Sequence, residues 1–235
     1  MATGVIVCAL LDCAVLVCAG IGLLAGPLLA ALIVCAPKGR AAVHWSVVYG
    51  AGASVRSRVV ASVAACLALT PLGLLPTVVV PVAVVVVLAG VVLAAIDIRL
   101  HRLPDLVVLP AVALTVVVGV ASAIGYDAID RLLPMLLTGA GLFGGCYLIA
   151  LAAPSAFGFG DVKLAALIGL AIGQIAPSLL LVWGVLLAPA AVVSIIAERL
   201  VVRDRPARGL KTQVAFGPVM LGAVWLLYLL VALRA

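Results

Sequence analysis

Residues 78–96 read VVVPVAVVVVLAGVVLAAI and run straight into Asp97. These nineteen residues carry no charge and no polar side chain. Wound as an α-helix at about 1.5 Å per residue, they cover roughly the 30 Å of hydrocarbon in a bilayer. Their valine content would suit a strand in water. An unbroken apolar run of this length instead favours a helix with lipid as its solvent, because every backbone polar group is then satisfied within the segment. Composition extends that reading to the whole chain. Apolar residues make up 68% of 235 and charged residues 9%, with a mean hydropathy of +1.48. A soluble domain of this length cannot hide so much apolar surface.

Seven other segments join the first. Cys13–Cys35 and Val59–Leu75 precede it; Leu106–Ile124, Leu132–Ala153, Val162–Ile175, Ser178–Ala197 and Val214–Leu233 follow. Val59–Leu75 is short, and Val162–Ile175 is the weakest span. The expected fold is an all-α, polytopic membrane bundle of about eight transmembrane helices. It forms a single domain over 1–235 with a core at about 78–233. No Lys or Arg precedes Lys38, and Cys13–Cys35 is long, so this first run reads as a spanning helix rather than a signal peptide.

The basic residues test the layout. Threading eight spans puts Lys38, Arg40, Arg56, Arg58, Arg99, Arg102, Lys163, Arg199, Arg203, Arg205, Arg208 and Lys211 on one side, and only Arg131 and Arg234 on the other. The positive-inside rule makes the crowded side cytoplasmic and leaves both termini non-cytoplasmic. The same rule accounts for the net charge of +6 without a nucleic-acid partner, since the charges sit in short loops and form no basic stripe. Cys8, Cys13, Cys18, Cys35, Cys66 and Cys146 contain no C-x-x-C pair. They read as small buried hydrophobes, with no metal expected.

Two carboxylates stand apart. Asp97 ends the quoted run, in DIRLHRLPD (97–105), and Asp161 sits in GFGDVKL (158–164). Both fall at cytoplasmic helix ends, where a charge at membrane depth is expensive and marks a functional candidate. The alternative for each is an interfacial end residue reaching water beside Arg99 or Lys163. Paired, they suit acid–base hydrolysis: two close carboxylates share one proton, so one activates water while the other protonates a leaving amine. Asp97 faces the negative end of its own helix dipole and Asp161 the positive end of its own. On these grounds the shared proton is expected on Asp97.

These stretches resemble the type IV prepilin peptidases, aspartic membrane proteases of the G-x-G-D type. The first family motif, an Asp at a helix end followed by basic residues and Ile/Leu-Pro-Asn, is matched by Asp97 through Asp105, with Asp105 in place of Asn. Gly158 to Leu164 matches Gly-x-Gly-Asp-x-Lys-Leu in full, and Phe216-Gly217-Pro218 keeps most of a Pro-Phe-Gly-Pro motif. The resemblance implies a peptidase of the inner (cytoplasmic) membrane, with its active site facing the cytoplasm. It would cleave the short basic leader of prepilins or pseudopilins, with Asp97 and Asp161 as the catalytic pair. Gly158, Gly160, Lys163, Arg99, Pro104, Phe216, Gly217 and Pro218 would support them, with His101 and Lys163 orienting the loop or meeting lipid phosphates. No cofactor is expected.

The chain departs from bifunctional members after the first helix, where they carry paired C-x-x-C zinc motifs and also methylate the product. Lys38 to Arg58 contains no cysteine, so the chain looks like a short form without the zinc and methyltransferase insert. A small transporter or a catalytically idle assembly factor is the alternative. The nearly featureless helix interiors argue against transport, and the intact aspartates argue against an idle paralogue. The layout itself is testable. Single-cysteine labelling is expected to place residues 97–105 and 125–131 on opposite membrane faces; labelling of both from one face contradicts it.

Overall fold

The computed structural model describes residues 2–35, 54–100, 103–152, 158–201 and 216–234. His101 and Arg102 lie outside the described residues, as do residues 36–53 and 202–215 with their basic side chains. Among the described residues the chain is all helical, with no strand. The described α-helices are, in order, α1 Ala2–Cys35, α2 Val55–Leu69, α3 Val80–Leu100, α4 Asp105–Gly125, α5 Leu132–Ala152, α6 Phe159–Ile175, α7 Leu179–Val201 and α8 Phe216–Ala232. Among the described residues, five stretches are long and apolar enough to cross a membrane: Ala14–Cys35, Val55–Leu74, Val80–Leu100, Asp105–Gly125 and Ile129–Ala152. At 17 residues each, α6 and α8 reach only about 25 Å.

The differences from the expected boundaries have local causes. Helix α2 begins at Val55 rather than Val59 because Ser54 caps it: its extended backbone turns the Oγ to accept the Ser57 N–H at 3.2 Å. Arg56 and Arg58 thus belong to its first turns. It stops at Leu69, ahead of Pro71, and tightens into a 3₁₀ turn over Thr70–Leu74. Helix α6 begins at Phe159 rather than Val162, because Gly158 is extended and its carbonyl accepts the Asp161 N–H at 3.0 Å. Asp161 therefore belongs to the first turn of a helix.

Three helices form the centre. Eleven residues of α6, ten of α8 and nine of α3 are buried. The outer helices keep bare apolar faces, such as Leu133, Leu137 and Leu148 on α5 and Leu181 and Val185 on α7, which in a membrane meet lipid. Lipid tails are as apolar as leucine, so association must come from close packing and interhelical hydrogen bonds. Both are present. A Cβ on Gly169 of α6 would lie 2.6 Å from the Thr138 carbonyl oxygen of α5, and one on Gly22 of α1 would lie 2.6 Å from the Cys66 backbone of α2. Trp225 Nε1 of α8 donates to the Ala68 carbonyl at 3.0 Å, and Trp183 Nε1 of α7 donates to the Met220 carbonyl at 3.2 Å.

At the end of the bundle remote from Asp97, Gln174 ties three helices together. Its Nε2 donates to the Val78 carbonyl at 3.1 Å and to Ser122 Oγ at 3.3 Å, while Arg131 donates to its carbonyl at 3.4 Å. The α3, α4 and α6 ends are thus fixed there, which aligns their opposite ends.

The glycine seam gives a direct test. Gly169→Val is expected to force α5 and α6 apart and destabilise the protein by about 2–3 kcal/mol. Gly141→Val, where a Cβ meets nothing within 4 Å, is the control and should change stability little. Equal thermal unfolding of the two variants in detergent would contradict this packing.

Candidate active site

Three helix ends meet at the same end of the bundle. Helix α3 ends three residues beyond Asp97, while α6 and α8 begin at Phe159 and Phe216. Asp97 is only 5% exposed. Its Oδ2 accepts the backbone N–H of Gly217 at 3.1 Å. This N–H lies in the first turn of α8, where helical N–H groups have no acceptor in their own helix. A Cβ at 217 would sit 2.7 Å from the same Oδ2, so only glycine allows this approach. Pro218 is buried in that turn, where proline's missing N–H costs nothing. Phe216 opens the helix from a partly exposed position.

Leu103 joins the other two motifs to this contact. Its Cβ would be 2.9 Å from a Cβ on Gly160, and its Cδ2 3.5 Å from a Cβ on Gly217. Both motif glycines are therefore places where a side chain would strike Leu103. Pro104 follows in extended backbone (φ −73°, ψ 129°) and its carbonyl accepts the Val107 and Val108 N–H groups. It turns the chain into α4 and seats Leu103 between α6 and α8. Reading the sequence for polar chemistry passed over Leu103. Its signal was its place directly before Pro104 in the motif that follows Asp97.

Asp161 is half-buried, one residue ahead of the apolar run that begins at Val162 and outside the five spans. Burial pushes its carboxyl up from 3.8 to about 6. The charge of Asp97 pushes the same way, and a hydrogen bond with the Gly158 backbone opposes both. The two motif carboxylates thus lie within electrostatic reach of each other. Lys163 does not serve Asp161. Its Nζ pairs with Asp105 Oδ1 at 2.6 Å and lies 4.8 Å from the centre of the Phe159 ring. This pair ties the N-terminus of α6 to that of α4. Arg99 is exposed at the end of α3. Among the described residues no three His, Cys, Asp or Glu side chains form a group that could hold a metal.

These observations define an all-α, multi-pass membrane protein with two carboxylates from separate helices converging at one end of its bundle. Residues 83–193 match the sequence model of the type IV leader peptidase family, and the chain is consistent with a prepilin peptidase family member. The matched stretch contains Asp97 and Asp161 and ends before Gly217, whose connection to the site comes from its hydrogen bond to Asp97. No curated protein and no solved structure matches the chain.

A raised carboxyl has a consequence for stability. Below 3.8 the folded and unfolded chains both hold the Asp161 proton. As pH rises, the unfolded chain releases it first, so the folded state loses stability up to about 6, and the loss is then constant. Asp161→Asn, which cannot ionise, is expected to match wild type near pH 3.5 and to exceed it at pH 8 by about 1 kcal/mol, after allowing for partial exposure. Thermal unfolding in detergent at the two pH values checks this; a variant less stable at pH 8 contradicts it.

Proposed function

We propose that this protein is a membrane-embedded aspartic endopeptidase that removes the short basic leader of a prepilin or pseudopilin at the cytoplasmic membrane face. The observation that carries the reading is that Asp97 and Asp161, both in the stretch that matches the family, lie at one end of the bundle, where Leu103 packs against Gly160 beside Asp161 and against Gly217, whose N–H binds Asp97. Family membership implies a protease. The paired carboxylates supply the means, because one can take a proton from water while the other donates one to the substrate. The face is inferred from charge: twelve of fourteen basic residues fall on one side of an eight-span layout, and the helix ends bearing both aspartates are on that side. The substrate would be an apolar helix with a basic leader, held in the membrane so that its scissile bond meets the dyad at the lipid boundary.

Transport fits less well. The hydroxyls of Thr115 and Ser122 donate to carbonyls of their own helix, at 2.7 and 3.1 Å, and the Gln174 amide holds three helix ends together. These groups serve packing and lay out no path across the bilayer.

Asp97→Asn and Asp161→Asn, purified and reconstituted with a leader-bearing substrate, are each expected to lower cleavage by roughly a thousandfold or more. The double variant should be no worse than either single one, as for residues that act as a unit. Near-normal cleavage by either folded variant contradicts the proposal. In the same assay with S-adenosylmethionine, the new N-terminus is expected to gain no methyl mass, because the zinc-bearing insert is missing. A methylated product made by this protein alone contradicts that part.

A further inference from the structure

We infer that the backbone N–H of Gly217 positions the dyad by holding Asp97 as its charged base, so that Asp161 carries the dyad's proton and acts as its acid. The inference rests on the aspartic-peptidase reading above and assigns the two roles within it. It reverses the order expected from the helix dipoles of α3 and α6 alone, and the reason is a third helix.

Each aspartate taken with its own helix gives the opposite answer. Asp97 lies in the last turns of α3, where the dipole disfavours an anion, and Asp161 in the first turn of α6, where it is favoured. The fold then aims the N-terminus of α8 at Asp97. The Gly217 N–H is 3.1 Å from Oδ2, and Asp97 is almost wholly removed from water. A charge-assisted hydrogen bond in a dry site outweighs the effect of the helix's own dipole. The position is built for this contact, since any side chain at 217 would occupy the space of the Asp97 carboxylate.

The surroundings of Asp161 work the other way. Among the described residues, Asp97 on α3 faces it with a negative charge, and Cys146 on α5 offers no positive charge in either form. The cation on its own helix, Lys163, is engaged by Asp105 of α4, and the first turn of α8 from Phe216 to Val219 contains no ionisable side chain. Arg99 lies exposed at the end of α3. Asp105, which stands where the family usually has Asn, is thus the residue that keeps Lys163 from drawing the proton off Asp161. Burial and the Asp97 charge raise the Asp161 carboxyl to about 6, in agreement with this geometry.

The chemical step follows. Asp97 removes a proton from water as the oxygen forms its bond to the scissile carbonyl carbon. Asp161 gives its proton to the carbonyl oxygen, leaving a neutral diol. When the carbon–nitrogen bond breaks, Asp97 passes its new proton to the leaving amine, and Asp161 recovers one from a diol hydroxyl. One water is consumed, a carboxyl and an amine form, and both aspartates return to their starting states.

Infrared difference spectra of the whole protein in lipid nanodiscs test the placement without a substrate. At about pH 5, below the Asp161 value near 6, the carbonyl band of a protonated carboxyl is expected to disappear in Asp161→Asn and to persist in Asp97→Asn. Any other pattern, including loss in both or persistence in both, overturns the assignment. Kinetics test the positioning role. In Gly217→Ala, kcat is expected to fall about tenfold with KM little changed, and the pH at which acid silences the enzyme should rise. Asp105→Asn, which releases Lys163, should bring the loss of activity at high pH to a lower pH. Unmoved pH profiles in both variants would leave Gly217 a packing residue and overturn the role given to it. If Gly217→Ala fails to fold, the infrared pattern and Asp105→Asn still decide. The expected infrared pattern in an enzyme that cleaves no leader-bearing substrate would support the proton placement and overturn the peptidase reading.

Discussion

A carboxylate set at the end of an apolar helix and closed off from water must find a donor inside the protein, because leaving it unpaired costs several kcal/mol. Among the described residues, the Gly217 N–H, 120 residues away along the chain, is such a donor to Asp97. The arrangement of the functional end depends on this contact. It draws the start of α8 against the end of α3, requires glycine at 217, and leaves room for Leu103 to lie between α8 and the glycine turn that opens α6. The three sequence motifs are close in space because they share this one buried charge and the leucine beside it.

Holding helix ends at such short range needs a rigid bundle, and lipid offers no hydrophobic drive to compress one. The chain uses small residues instead. Gly169 and Gly173 let α5 lie against the backbone of α6, and Gly22 and Gly26 do the same between α1 and α2. Polar side chains finish the work where backbones diverge, as Gln174 does at the far end and the Lys163–Asp105 pair does near the dyad. Structure and chemistry are therefore separated along the bundle: the far end is held by hydrogen bonds around Gln174, one of them from Arg131, and the near end carries the two motif carboxylates.

Much of this was legible in the sequence, for stated physical reasons. Unbroken apolar runs mark helices in lipid, and each expected segment overlaps a described helix, though only five described stretches are long and apolar enough to cross a membrane; α1 starts at Ala2, well before the expected Cys13, and smaller shifts follow where Ser54 and Gly158 act as caps. Asp97 and Asp161 stood out because charge at membrane depth is rare. What could not be read was anything fixed by a partner distant in the chain. Local dipoles placed the shared proton on Asp97, and nothing in the sequence said that the N-terminus of α8 would point there. Leu103 was overlooked because an apolar residue carries no chemical signal until its neighbours are known. Lys163 was expected to orient the loop or meet lipid phosphates, and its partner Asp105, 58 residues away, was not legible before the fold.

The central claim is that Asp97 and Asp161, 64 positions apart, form one site. In a variant whose native cysteines are replaced by alanine, Asp97→Cys and Asp161→Cys place a thiol at each position. A short bifunctional thiol reagent applied to this protein in membranes is expected to join the two within a single chain, read as a cross-linked peptide by mass spectrometry. Two thiols that each react with a monofunctional reagent but are never joined would contradict the account.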